Sequence, residues 1–135
     1  MDIKEILENY RKIAFYGIST NPDKPAYRVP TFMQSKGYEV IPINPHADQI
    51  LGKKVYRNLM DVEEEIEILD VFRPSDQTPQ VVREAIERKK ARGDIKVIWL
   101  QLDIKNEEAR QLAEENGFIF VQDKCLHIEY ERYFD

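Results

Sequence analysis

The sequence predicts an α/β fold, a five-stranded parallel sheet with helices on both faces. Short apolar runs alternate with segments of helical period from end to end. No linker, repeat or low-complexity tract interrupts them. Glycines stand where helices should close, which fixes the lengths of the segments between strands. The 135 residues, 42% hydrophobic and 33% charged, can bury one core and are expected to form a single domain over 1–135.

Ile3, Ile6, Leu7 and Tyr10 recur at helical spacing, so a short amphipathic helix precedes the first strand and packs on the sheet. Residues 12–16 form that strand, and the run from Ile13 to Tyr16 is apolar, as in a strand covered on both faces. The next helix runs to Lys36, with Pro30 expected near its first turn and Gly37 as its left-handed cap. Strands follow at 38–43, 68–72, 95–101 and 118–121, with helices near 79–91 and 107–116. Pro79 suits a first helical position and Asn106 an N-cap. Gly93 and Gly117 close helices, and Gly52 marks a turn. Gly17 is then the one glycine at the carboxyl end of a strand.

That position matters because ligands of open parallel sheets bind outside the carboxyl ends of the strands. The residues gathered there are Gly17-Ile18-Ser19-Thr20 through Lys24, then Asn44-Pro45, Phe72-Arg73-Pro74-Ser75 and Gln101-Leu102-Asp103. Gly17 permits a sharp turn or a close approach, Ser19 and Thr20 bring hydroxyls, and the following helix turns unpaired N–H groups toward the loop. Lys24, Arg28 and Arg73 suit phosphates, while Pro45, Phe72 and Pro74 suit the faces of an adenine. Each has a plainer reading too: an ordinary strand-to-helix loop, a solvated arginine on a helix, prolines that end strands. For Phe72 taken alone, core packing is the better account.

A nicotinamide dinucleotide is the first alternative, and an oxidoreductase the function it would bring. Ser19 and Pro22 occupy the second and third glycine positions of the Gly-x-Gly-x-x-Gly fingerprint. Asn44-Pro45 stand where a carboxylate would hold the ribose, and Asp48, further on, is a poor substitute.

Other classes are disfavoured by composition. Twenty basic and 25 acidic residues leave a net charge of −5, which argues against a sequence-independent grip on nucleic acid. No apolar stretch reaches the length of a membrane span, and the N-terminus lacks the blocks of a signal peptide, so a cytoplasmic protein is expected. Cys125 is the one cysteine, and His46 and His127 make no metal-ligand spacing with it. Trp99 reads as core. The acidic run 61–65 is expected on the solvated face of a short helix, and the cluster from Arg88 to Arg92 near a helix end, where cations suit the dipole. His127 lies in a C-terminal helix expected to pack on the sheet. No Ser–His–Asp or Cys–His set is legible, so no catalytic residue is assigned.

Six blocks carry a resemblance: Gly17-Ile-Ser-Thr-Asn-Pro-x-Lys-Pro-Ala-Tyr27, Gly37-Tyr-x-Val-Ile-Pro-Ile-Asn-Pro45, Leu51-Gly-x-Lys-Val-Tyr56, Asp70-Val-Phe-Arg73, Val97-Ile-Trp-Leu-Gln101 and Val121-x-Asp-Lys-Cys-Leu126. In this order and spacing, over nearly the whole chain, they resemble the CoA-binding protein family of small bacterial and archaeal proteins. That family is similar in turn to the N-terminal domain of the succinyl-CoA synthetase α subunit. The resemblance implies a Rossmann-like fold and a coenzyme A or acyl-CoA ligand, with binding rather than catalysis, and leaves room for a homo-oligomer or a partner enzyme. It implies a phosphate loop at Gly17-Ile18-Ser19, nucleotide contacts around Asn44-Pro45 and Phe72-Arg73-Pro74, and the pantetheine side near Gln101 and Cys125. The synthetase domain has Gly-Lys after its strand-two proline, where this chain has His46-Ala47, so that lysine contact does not transfer. Many family members have glycine where this chain has Asp103. Two readings of Cys125 stay open, a thiol beside the ligand's tail and an inert buried side chain.

Overall fold

The computed structural model describes residues 1–134. Helix α1 (Ile3–Asn9) opens on a reciprocal cap in which the Asp2 carboxylate accepts the Glu5 N–H at 2.9 Å and the Glu5 carboxylate accepts the Asp2 N–H at 3.1 Å. Then come strand β1 (Lys12–Tyr16), helix α2 (Pro25–Ser35), strand β2 (Glu39–Ile43) and the two short strands β3 (Gln49–Ile50) and β4 (Lys53–Lys54). Strand β5 (Ile68–Val71), helix α3 (Thr78–Arg92), strand β6 (Val97–Leu100), helix α4 (Glu107–Glu115), strand β7 (Ile119–Val121) and helix α5 (Leu126–Phe134) complete the order.

The five long strands form one parallel sheet in the order β2-β1-β5-β6-β7. This is a Rossmann-like, doubly wound arrangement, and its order reverses between β1 and β5. The chain therefore leaves those two neighbouring strands toward opposite faces of the sheet, which opens a crevice between their carboxyl ends. One face packs Ala14, Leu69, Val71 and Ile98 against Val81, Val82 and Ala85 of α3 and Ala109 and Ala113 of α4. The other packs Ile13, Phe15, Ile68 and Trp99 against Ile6 and Leu7 of α1, Val29 and Met33 of α2, and Leu126 of α5. Trp99 is fully buried and donates its indole N–H to the Lys124 carbonyl at 2.8 Å.

Strand edges shift slightly from the expected ones. Ile95 falls outside β6 because its φ of +64° is left-handed, and its N–H turns to the Ile66 carbonyl at 2.7 Å. Pro30 departs further, lying inside α2 rather than in its first turn. It removes the N–H that would have bonded the Ala26 carbonyl, and the Ser19 N–H bonds that carbonyl instead, at 3.1 Å. The helix tolerates its proline because the loop before it supplies the missing donor.

The acidic run is solvated, as expected, but it is not a helix. A single 3₁₀ turn at Leu59–Asp61 ends at Val62, and the chain then reaches β5 without helix or strand. The reason is Arg88, which is fully buried rather than placed for the helix dipole. Its guanidinium donates to the carbonyls of Leu59, Val62 and Glu64 at 2.7–2.9 Å and to the Asp94 carboxylate at 2.9 Å. All five guanidinium N–H groups are thereby used, and three of them hold segment 59–64 in place by its backbone.

Candidate ligand-binding site

Gly17 ends β1 at the reversal point of the sheet. Its φ is +93°, and a Cβ placed there would lie 2.5 Å from the Phe72 carbonyl oxygen. Only glycine permits both the conformation and the approach. The loops after β1 and β5 therefore touch, with the Gly17 N–H bonded to the Ile43 carbonyl at 3.1 Å and the Phe72 N–H to the Tyr16 carbonyl at 2.8 Å. The demand for glycine comes first from the protein's own backbone.

The loop that follows is held from several sides. Asn44 spends its side chain on it, donating to the Ile18 carbonyl at 2.8 Å while its oxygen accepts the His46 and Ala47 amides at 2.7 and 2.8 Å. The Ser19 hydroxyl accepts the Asn21 N–H at 3.0 Å. The Ile18 and Thr20 amides have no protein acceptor among the described residues. Both residues border a cavity, and unpaired backbone N–H groups in a held loop are suited to an anion.

Three adjoining cavities meet at Gly17 and Arg73. The first, about 660 Å³, is bounded by Ser19, Lys24, Arg28, Phe72, Pro74, Gln101 and Cys125 among others. The second, about 620 Å³, adds Ile18, Asn44 and Pro45 to Ser19 and Lys24. All twelve residues singled out from the sequence thus border one or both. Lys24, Arg28 and Arg73 enter no ion pair among the described residues. Arg28 donates to the Asp23 carbonyl at 2.6 Å and Arg73 to the Gln77 side chain, so their charge stays uncompensated.

Some of the twelve serve the fold as well. The Ile18 side chain is core, and Phe72 packs against the same cluster while bordering the cavity. Gln101 is 3% exposed, and its side-chain amide oxygen accepts the Leu126 N–H at 3.1 Å, capping the start of α5. Cys125 is half-buried and borders the cavity, so it is not sealed in the core.

The third cavity, about 320 Å³, lies toward α3; besides Gly17, Pro45 and Arg73 it is bordered by Tyr16, Arg57 and Glu84, which sequence reasoning did not reach. There the Tyr16 hydroxyl donates to Glu84 at 2.7 Å, and burial together with that bond pushes the phenol's pKa up. Arg57 also borders it, paired with Asp48 at 2.8 Å. Tyr16 and Glu84 are 68 residues apart in the chain, and no local pattern announces such a pair. The Asp48 carboxylate is thus paired with Arg57 at the surface.

An open parallel sheet with a glycine turn, unpaired amides and uncompensated cations at its reversal point is the kind of arrangement in which doubly wound domains hold phosphate-bearing ligands. The chain belongs to the CoA binding domain family, whose model matches residues 11–131. It is 39% identical to YneT of Bacillus subtilis over 129 residues, covering 96% of this chain and 92% of that protein. A hypothetical protein from Pyrococcus horikoshii superposes with a TM-score of 0.91 at 36% identity, over 99% of this chain and 91% of that one. The ADP-forming acetate–CoA ligase of Methanocaldococcus jannaschii is 25% identical over 122 residues, 87% of this chain but 17% of the ligase. Asp103 has a φ of +69°, a left-handed conformation that aspartate tolerates better than most residues.

Proposed function

We propose that the chain binds coenzyme A or an acyl-CoA, as a cytoplasmic binding domain without chemistry of its own. The diphosphate lies at Gly17-Ile18-Ser19, neutralised by Lys24, Arg28 and Arg73. The nucleotide lies around Asn44-Pro45 and Phe72-Arg73-Pro74, and the pantetheine arm runs toward Gln101 and Cys125. The observation that carries this reading is the meeting of the two large cavities at Gly17 and Arg73. One polyanionic ligand can span both while its charge sits between three unpaired cations. Asn44 speaks against a nicotinamide dinucleotide, since its side chain is committed to the loop at the place where a ribose carboxylate belongs.

Calorimetry tests the reading by rank: CoA binds more tightly than 3′-dephospho-CoA, NAD and NADP. Binding of NAD at least as tight as that of CoA would restore the oxidoreductase alternative. A second reading, that the domain serves a partner chain in acyl-CoA chemistry, is favoured by the likeness to one section of an acetate–CoA ligase. Mass spectrometry of the native protein, which would retain both a co-purified CoA species and a partner, separates the two.

A further inference from the structure

The 660 Å³ cavity changes character along the sheet edge. Arg73 borders it from the loop after β5, Lys24 and Arg28 from the start of α2, and Leu102, Ile104 and Ile128 from the loop after β6 and the start of α5. Leu102 and Ile128 are 48% and 47% exposed. Two of the few large apolar side chains left in solvent thus stand at one mouth, continuous with a cationic rim. The ionisable groups on that side are Asp103, Cys125 and His127. His127 stacks on Phe32 with ring centroids 3.6 Å apart and lies 3.3 Å from Glu131, so a charge on it is already matched. The Asp103 carboxylate has no cationic partner among the described residues, and its N–H is held by the Asp123 carboxylate at 2.7 Å.

From this we infer that the β6 end of the cavity receives the acyl group of an acyl-CoA, and that it selects uncharged aliphatic acyl chains over those ending in a carboxylate. The inference rests on the CoA reading above. With the diphosphate at Gly17 and the arm running toward Gln101 and Cys125, the thioester emerges among Leu102, Ile104 and Ile128. Aliphatic carbons there cover surface that otherwise faces water. A terminal carboxylate would meet Asp103 and no cation beyond the three taken by the ligand's phosphates, and would lose its hydration without return.

Calorimetry at one salt concentration with CoA, acetyl-CoA, hexanoyl-CoA and succinyl-CoA tests it. A fully buried methylene is worth about fourfold in affinity. Hexanoyl-CoA should therefore bind at least about tenfold more tightly than acetyl-CoA even when partly exposed, and succinyl-CoA more weakly than either. Ile128→Ser should shrink the hexanoyl-to-acetyl ratio. Asp103→Asn, which keeps a residue tolerant of positive φ, should bring succinyl-CoA closer to acetyl-CoA. If CoA binds and hexanoyl-CoA gains nothing over acetyl-CoA, the acyl inference falls and the CoA reading stands; if CoA itself fails to bind, both fall. Sedimentation of the same samples covers the remaining occupant of the patch. A dimer dissolved by Ile128→Ser, without acyl preference, would assign the apolar mouth to a second copy of the chain and overturn the inference.

Discussion

The Ser19 amide donates to the Ala26 carbonyl, which Pro30 leaves without its helical donor. A defect in α2 thus becomes a tether for the loop at the candidate site. Pro30→Ala supplies the missing N–H and sets up competition for that carbonyl. The helix should tolerate the change, since alanine suits its interior, while the loop loosens. Hydrogen exchange at Ser19 should speed up, and CoA affinity should fall several-fold. An unchanged Ser19 exchange rate would mean that the tether does not depend on the proline.

Gly17→Ala should destabilise the whole protein, not merely the site. A left-handed φ costs a side-chain-bearing residue about 1–2 kcal/mol, and the new Cβ would also press on the Phe72 carbonyl. Chemical denaturation of the variant should give a loss of at least about 2 kcal/mol. A variant as stable as the parent would show that the two strand-end loops can separate freely.

Arg73→Ala separates charge from fold. The side chain borders all three cavities and is bonded to Gln77 near the surface. Stability should change by less than about 0.5 kcal/mol, as for other surface substitutions. CoA affinity should drop roughly tenfold, the scale of one charge-assisted bond, and its dependence on salt should flatten. Binding isotherms at two salt concentrations decide it, and an unchanged salt slope would remove Arg73 from the phosphate contacts.

The sheet was legible because its strands are apolar runs closed by glycines, and the strand-end residues because topology gathers them at one edge. What escaped was either too short to show a period or has long-range causes. The β3–β4 hairpin has two residues per strand, too few to show any period, and beyond Gly52 only the left-handed Leu51 marks its turn. Arg88 sits among charged neighbours in the sequence and looks solvated, yet it is buried by a segment 24–29 residues away whose carbonyls it binds. Pro30 read as a helix-start residue because its compensating donor belongs to a loop, not to the helix.

Arg88 carries a prediction of its own. Arg88→Ala would leave the buried Asp94 carboxylate without its cation and three backbone carbonyls without donors. Removing one partner of a buried ion pair costs about 3–5 kcal/mol, so the variant should unfold at markedly lower denaturant. A loss under about 1 kcal/mol would put the pair in the class of surface bridges.

Asp70 lies at the centre of the sheet, paired in register with Phe15 and Trp99, and is fully buried. Neither carboxylate oxygen has a hydrogen-bond partner among the described residues. Burial raises its pKa well above the ordinary 3.8, and the nearby Val71 amide opposes this only in part. In the pH range between the unfolded and the folded pKa, the native state holds a proton that the unfolded chain has lost. Stability from this group is therefore fully present below about pH 3.8 and is lost as pH rises through the folded value. Asp70→Asn removes the titration while keeping the shape. Its melting temperature, measured against the parent from pH 5 to pH 9, should show a gain that grows with pH. A difference that stays flat over that range would mean that the carboxyl is not held protonated in the core.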